Sequence, residues 1–182
     1  MRISVASAEW GNSIVEQADL TSLEVLGIAV KSEIDSAQLY RIMGKKVRNL
    51  VVRKKLAFLV EEEEKHRAIL EDLYDKTFPD VPLVLPENSA VPQVTQALKE
   101  DLTQAKLFQV AMKAEQMNET FYADLAEKIK DPTGKSMLTY LSRMERVHYQ
   151  LLRGEHELAM AYPDYFDQEE FLFGDHMVHL GP

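Results

Sequence analysis

The sequence contains no cysteine. Disulfides, thiolate ligands and iron–sulfur clusters are therefore excluded, and any metal site must use oxygen and nitrogen donors. The sequence also has no run of about 20 apolar residues, which is the length that crosses a bilayer. Residues 1–19 lack the basic start and the continuous apolar stretch of a signal peptide. These absences predict a cytoplasmic protein with no membrane partner.

Positive charge is also scarce. The chain has 30 acidic and 21 basic residues, for a formal net charge of -9. Phosphate backbones bind to basic surfaces, so we expect no nucleic acid partner. At 182 residues the chain can bury the core of one domain. We divide it into an N-terminal segment 1–19, a helical domain 20–162 and a C-terminal tail 163–182.

A pattern of acids, phenols and imidazoles occurs twice. Each residue of the second copy lies 82 positions after its counterpart in the first. The first copy is Glu33, Tyr40, Glu63 and His66, and the second is Glu115, Tyr122, Glu145 and His148. Apolar residues surround both copies and recur at the same offset, as Leu59 and Leu141 do. The pattern indicates a duplicated helical pair with inward-facing acids.

Helix geometry gives this pattern a chemical meaning. In a Glu-x-x-His sequence the two side chains lie on one helical face and can reach the same point. Four-helix bundles with di-iron or di-manganese centres use two such pairs and one further Glu from each remaining helix. Four ionised carboxylates balance two divalent ions, whereas without metal they would repel one another. The predicted ligands are Glu33, Glu63, His66, Glu115, Glu145 and His148.

The apolar periodicity predicts four long helices. We expect them to run from Thr21 to the Gly44–Arg48 region, from Asn49 to about Asp75, from about Gln93 to Ile129, and from Pro132 to about Tyr162. Asp131 is placed to cap the fourth helix, with Pro132 in its first turn. Four prolines interrupt residues 78–92, and this connection of about 15 residues can extend over about 50 Å. It is long enough to return along the bundle.

These residues resemble the ferritin-like superfamily, and in particular the di-iron domains of rubrerythrins. The resemblance covers residues 20–160 and depends on the doubled Glu-x6-Tyr and Glu-x-x-His order. It implies an all-α, ferritin-like antiparallel four-helix bundle with one long crossover between helices 2 and 3. It also implies redox chemistry with dioxygen or hydrogen peroxide. Full rubrerythrins carry a rubredoxin domain, which a chain without cysteine cannot form, so we expect a separate electron donor.

The leading hypothesis is a non-haem di-iron peroxidase or ferroxidase that forms a homodimer. The six ligands would hold two iron ions, with Glu63 and Glu145 bridging them, although manganese or zinc can use the same donors. Three alternatives remain open. They are iron oxidation with storage or delivery, hydroxylation of an organic substrate, and a metal that serves stability alone.

Three further residues are candidates for a supporting role. Tyr40 and Tyr122 are expected to donate hydrogen bonds to a ligand carboxylate of a neighbouring helix and so to orient it. Rubrerythrins typically carry an extra Glu three residues after the third-helix ligand, where this chain has Asn118. Glu119 is either a replacement for that ligand, a member of a salt link, or a solvated side chain.

Overall fold

The computed structural model describes residues 22–87, 94, 102–162 and 164. The described helices are α1 Ser22–Lys46, α2 Leu50–Thr77, α3 Gln104–Lys128 and α4 Pro132–Ala161. They confirm the predicted all-α fold. The segments 1–19 and 163–182 lie outside the described residues, apart from Asp164. No helix in the described ranges has an apolar stretch long enough to cross a membrane.

Side-chain caps fix two tight turns between the helices. The side chain of Asn49 accepts hydrogen bonds from the backbone amides of Val51 and Val52 and so begins α2. Asp131 accepts from the amide of Gly134 at 2.6 Å and begins α4, as predicted. Each cap satisfies amides that lack a carbonyl within the helix, which stabilises a helix by about 1 kcal/mol. The turns therefore fold α1 against α2 and α3 against α4.

The beginning of α3 differs from the prediction. A helix continuous from about Gln93 is wrong, because Leu102 and Thr103 lie outside the helix. The hydroxyl of Thr103 accepts from the amide of Lys106 at 3.3 Å, and α3 begins at the next residue, Gln104. Apolar spacing runs through this point without change, so it could not indicate where a threonine side chain replaces the helical carbonyl as acceptor.

Contacts between helix ends establish the direction of α3. Gln104 donates from Nε2 to the carbonyl oxygen of Lys46 at 2.7 Å, and Lys46 donates from Nζ to the carbonyl oxygen of Leu102 at 3.2 Å. The start of α3 therefore lies beside the end of α1, which is also where α2 starts. Because α2 ends at the opposite end of the bundle, the chain must travel the bundle's length before α3. The predicted crossover between α2 and α3 is confirmed, and these two helices run in the same direction.

The first part of this crossover packs closely on α1 and α2. The hydroxyl of Tyr74 donates to the carbonyl oxygen of Pro82 at 3.2 Å. A Cβ atom at Gly27 would lie 2.9 Å from the carbonyl oxygen of Val84. A glycine is needed at this point of α1 because only a residue without a side chain admits so close a backbone.

The apolar core forms two clusters, one toward each end of the bundle. Helices α1 and α2 pack closely, as do α3 and α4, and the two hairpins meet through α1 with α3 and α2 with α4. The first cluster includes Leu39, Met43, Leu56, Leu59 and Phe108, and the second includes Leu26, Val30, Leu70, Leu138 and Leu141. On every helix, the predicted ligands lie between the residues of the two clusters.

Candidate metal centre

All the predicted ligands are buried at the middle of the bundle. No side chain among them is more than 1% exposed. The buried set is Glu33, Glu63, His66, Glu115, Glu145 and His148. Carboxylates in a protein interior are strongly unfavourable unless other charges compensate them. We call these six side chains the layer. The compensating charges must come from within the layer, because apolar clusters lie on both sides of it.

Two carboxylates approach both imidazoles. Ligand atoms of Glu63, His66, Glu145 and His148 all lie within 4.8 Å of one another. His66 Nδ1 lies 3.0 Å from Glu63 Oε2 and 3.0 Å from Glu145 Oε1. His148 Nδ1 lies 3.2 Å from Glu63 Oε1 and 3.9 Å from Glu145 Oε2. Glu63 and Glu145 thus each direct one oxygen toward each imidazole.

The other two acids each approach one imidazole. Glu33 Oε2 lies 3.6 Å from His66 Nδ1, and Glu115 Oε2 lies 3.6 Å from His148 Nδ1. The imidazole rings are stacked, with centroids 5.2 Å apart and planes 18° from parallel. We call Glu33 with His66 the first half-site, and Glu115 with His148 the second. The two half-sites share the carboxylates of Glu63 and Glu145.

The donor atoms of this layer fit a metal. Both oxygens of Glu63 and of Glu145, and both nitrogens of each histidine, are buried and form no hydrogen bond of acceptable geometry in the described part of the chain, although Nδ1 of each imidazole lies at ion-pair distance from the carboxylates. One unsatisfied buried polar group costs about 1–3 kcal/mol, so several together indicate a bound partner. Oxygen and nitrogen donors with this many negative charges suit divalent iron, manganese or zinc. The cluster is therefore compatible with metal binding.

Comparison with known proteins agrees with this geometry. A family model described as rubrerythrin matches residues 24–156, a range that includes every buried acid and imidazole of the layer. The chain belongs to the rubrerythrin family. It is similar to the solved structure of a hypothetical protein from Pyrococcus furiosus, with 32% identity and a TM-score of 0.71. That match covers 84% of this chain and 98% of the other. No curated protein matches this chain.

Glu33 and Glu115, the acids that each approach one imidazole, are called the single acids. Two tyrosines of this rubrerythrin-family chain hold them across the bundle. Tyr122 of α3 donates a hydrogen bond to Glu33 Oε1 on α1, and Tyr40 of α1 donates to Glu115 Oε1 on α3. The expected hydrogen bonds to a carboxylate of a neighbouring helix are confirmed. Burial, with the charges of Glu33 and Glu145, raises the pKa of Tyr122 well above its ordinary value. The phenol therefore remains a donor at neutral pH.

The acids of the layer differ in their protonation. Burial raises the pKa of Glu33 to about 8, and the nearby charge of Glu63 adds to the effect. Burial also opposes ionisation of Glu63, but the imidazoles of His148 and His66 outweigh it and lower its pKa to about 2. Burial raises the pKa of Glu145 well above its ordinary value, and Glu63 contributes. Of Glu33, Glu63 and Glu145, Glu63 is therefore the acid that ionises most readily.

The imidazoles are held as cations by their acidic neighbours. Burial alone would lower the pKa of His148, but Glu115 and Glu63 raise it to about 10. His66 behaves in the same way, because Glu145 and Glu33 outweigh its burial and raise its pKa. Protons therefore supply the positive charge of the layer when divalent ions do not. Metal uptake must expel these protons, because the ligands bind in their deprotonated forms.

Glu119 lies in a salt link. Its carboxylate accepts from Arg146 Nε at 2.7 Å and lies 2.6 Å from Arg146 Nη2. Ser142 donates to its backbone carbonyl at 2.9 Å. Glu119 lies four residues after Glu115. In a helix of 3.6 residues per turn, its side chain is therefore rotated by about 40° from that of Glu115, and it points toward α4. The structure therefore places its carboxylate on an arginine and not among the clustered ligand atoms.

Asn118 occupies the position of the extra rubrerythrin acid. Its side chain is fully buried, and its Oδ1 accepts a hydrogen bond from Ser32 Oγ at 2.8 Å. Ser32 immediately precedes the predicted ligand Glu33, and the sequence analysis did not predict its contact with Asn118. The available signal was a hydroxyl on the buried face of α1, one residue from an inward-facing acid.

Proposed function

We propose that this chain is a di-iron oxidoreductase that reduces hydrogen peroxide or dioxygen with electrons from a separate donor. The observation that supports this best is the pair of carboxylates, Glu63 and Glu145, that each face both imidazoles. A carboxylate that presents one oxygen to each of two positions is the natural bridge between two ions. Membership of the rubrerythrin family supports the same chemistry.

Each residue has a defined task in this proposal. Glu33 and His66 would hold one ion, Glu115 and His148 the other, and Glu63 and Glu145 would bridge them. Ferrous ions held by these residues would supply two electrons, which together with two protons reduce one hydrogen peroxide to two water molecules. The helices exclude bulk water from the layer, since no ligand is more than 1% exposed. Electrostatic interactions are stronger in such a site than in water.

The tyrosines would set the coordination of the single acids. Each hydroxyl binds Oε1, so Oε2 is the atom that faces the imidazole of the same half-site. A carboxylate held in this way keeps its orientation when the charge of the site changes. This role explains why both phenols are buried at the level of the acids.

Iron is the metal we propose, because the reaction needs a metal that changes oxidation state and the donors suit it. A homodimer and a cytoplasmic location remain predictions. The same centre would also serve iron oxidation, with ferrous iron as the substrate that enters and leaves. The two functions differ in whether the metal stays bound while oxidant is consumed.

Metal analysis and single-turnover oxidation test the proposal. Protein purified without added metal and then loaded with ferrous iron should hold two ions per chain. Addition of one equivalent of peroxide should oxidise both ions without release of iron. Release of ferric iron would favour iron handling, and fewer than two bound ions would contradict the di-iron proposal.

A matched pair of variants makes the test specific. Glu63→Gln keeps the shape of the side chain but removes its charge, and it should abolish binding of both ions. Glu119→Gln changes an acid of α3 that is paired with Arg146, and it should retain two ions. Equal metal content in the two variants would contradict the assigned ligands.

A further inference from the structure

Two buried polar side chains lie one helical turn beyond the single acids. Ser36 follows Glu33 by three residues, and Asn118 follows Glu115 by three residues. Residues three apart share a face of a helix, so both side chains adjoin the ligand layer. Ser36 is 1% exposed and Asn118 is 0% exposed. The internal duplication relates the two positions.

The amide of Asn118 is fixed at one end and unsatisfied at the other. Ser32 Oγ donates to Oδ1 at 2.8 Å, which connects α3 to α1 and fixes the plane of the amide. The other end, Nδ2, is buried and has no hydrogen-bond partner among the described residues. Buried donors nearly always have a partner, either in the protein or in a bound small molecule. The amide therefore indicates a small ligand that accepts hydrogen bonds.

The positions equivalent to Ser32 and Asn118 in the other half of the bundle hold different residues. The counterparts of Ser32 and Asn118 are Ala114 and Ser36. Ala114 has no hydroxyl, and Ser36 Oγ has no hydrogen-bond partner in the described ranges. The Ser32–Asn118 pair is therefore not required by the duplicated fold. Its amide donor is a specific feature of one side of the layer.

We propose that Asn118 Nδ2 is the hydrogen-bond donor to a small anionic oxygen ligand, hydroxide or hydroperoxide, at the centre. This inference depends on the proposed di-iron function and names a residue that would hold either its oxidant, as hydroperoxide, or the hydroxide that remains after reduction. An amide suits this task because it donates a hydrogen bond without adding negative charge. A carboxylate at the same position would repel the anion and compete for the metal. Ser32 is a positioning residue, because it fixes the direction in which the amide points.

Azide binding to the ferric protein tests the proposal without turnover. Azide is a small anion whose binding to ferric iron is followed by visible absorption. Asn118→Asp is nearly isosteric but replaces the donor with a negatively charged acceptor, so we expect azide affinity to fall at least about tenfold. Asn118→Leu removes the donor without adding charge and should weaken azide by a similar factor. Ser32→Ala should give a smaller loss, of about threefold, because the amide remains but is no longer fixed.

Metal content and melting temperature distinguish the possible outcomes. If the unsubstituted protein binds fewer than two ions, the proposed function fails. If both Asn118 variants hold two ions and bind azide as tightly as the unsubstituted protein, this inference is overturned and the di-iron function stands. If the Asn118 variants bind azide with unchanged affinity but melt at a lower temperature, the partner of Asn118 is a structural water, and the inference about an anionic ligand is overturned. Glu119→Gln, which changes a nearby side chain outside the layer, should leave azide affinity unchanged.

Discussion

The two hairpins of the bundle, α1–α2 and α3–α4, agree at the layer of buried acids and imidazoles and differ around it. Each single acid lies 3.6 Å from the imidazole of its half-site, and each receives a hydrogen bond from a tyrosine of the other hairpin. Around this layer the equivalent residues differ even in charge. The shared site therefore constrains the residues of the layer, whereas equivalent surface positions can hold residues of different type and charge.

One pair of salt bridges illustrates this freedom. In the first hairpin, Arg41 of α1 donates to Glu64 of α2 at 2.7 Å. In the second, Arg146 of α4 donates to Glu119 of α3 at 2.7 Å. Glu64 and Arg146 are 82 positions apart, so they are equivalent residues of opposite charge. Each hairpin thus joins its two helices by an ion pair, with the acid on the second helix in one hairpin and on the first helix in the other. The partners Arg41 and Glu119 are not equivalent, because their counterparts are Ala123 and Ala37.

The largest expected effect is on metal content, and it should distinguish the carboxylates shared by both half-sites from those that serve one half-site. Glu63→Ala or Glu145→Ala removes a carboxylate that serves both half-sites, and we expect loss of both ions. Glu33→Ala disrupts the first half-site alone, and we expect one ion to remain beside Glu115. Elemental analysis of the purified variants measures this directly.

A neighbouring acid provides the control for these substitutions. Glu64 follows Glu63 in α2 but forms its ion pair with Arg41. Glu64→Ala should therefore retain two ions. Retention of both ions in Glu63→Ala would show that the shared carboxylate is not a bridge.

Metal removal should lower the stability of the whole bundle. Ions that bind only the folded chain stabilise it, and a concentration of 100 times the Kd contributes about 2.7 kcal/mol for each ion. Loss of two ions should therefore lower the Tm by about 10–20 °C in a domain of this size. Calorimetry with and without chelator measures the shift. An unchanged Tm would indicate that the layer binds no metal.

This stabilisation by metal should grow as the pH rises. In the chelated protein, Glu33 has a raised pKa, so its protonation stabilises the fold below 4.5 and this contribution disappears as the pH rises through about 8. His148 contributes below 6.5 and loses its contribution as the pH rises through about 10. Glu63 has the opposite sign, since its contribution is lost as the pH falls from 4.5 to about 2.

The chelated protein should therefore lose stability between about pH 5 and pH 10. The metal-bound protein should not lose stability in this way, because ions have replaced the protons. Thermal unfolding at several pH values measures the difference. A difference in Tm that shrinks with increasing pH would contradict the proton exchange described for this layer.

The tyrosines should have a smaller effect, and an equal one in the two halves. Tyr122→Phe frees Oε1 of Glu33 and should weaken metal binding in the first half-site. Tyr40→Phe does the same for Glu115 and the second half-site. Loss of a hydrogen bond to a metal ligand typically lowers affinity about 10-fold to 100-fold. Metal titration of the two variants should show similar losses, and an effect in only one variant would break the symmetry.

The smallest effect should come from the salt bridges that join the helices of each hairpin. Arg41 and Arg146 are exposed, and such pairs contribute only about 0–1 kcal/mol to the free energy of unfolding. Arg41→Ala and Arg146→Ala should each lower the Tm by at most about 4 °C and retain two ions. Metal loss in Arg146→Ala would mean that its pair with Glu119 supports the centre.

The sequence predicted the features that follow from spacing. The repeated offset of 82 residues identified the buried acids and imidazoles, because a duplicated fold must place equivalent residues at equivalent points. The prolines after α2 predicted the crossover, because they exclude a regular helix there. The cap at Asp131 was also predicted, because a carboxylate before a proline satisfies the first amides of a helix.

The features that were missed depend on contacts between helices. The start of α3 depends on whether the hydroxyl of Thr103 turns toward Lys106, which apolar periodicity does not encode. The link between Ser32 and Asn118 joins residues on two different helices at a register known only from the fold. The salt link of Glu119 had a signal in the sequence, since Arg146 stands where the first copy has an acid, but its strength depends on geometry.

The polar layer also has a consequence for how the molecule unfolds. Because it divides the hydrophobic core into two separate clusters, each end of the bundle has its own small core. In the described residues these cores are joined mainly by helical backbone and by the acids and imidazoles between them. Bound ions would tie the four helices together at the middle, so that the two ends open as one cooperative unit and not independently. The centre would then serve folding cooperativity as well as chemistry.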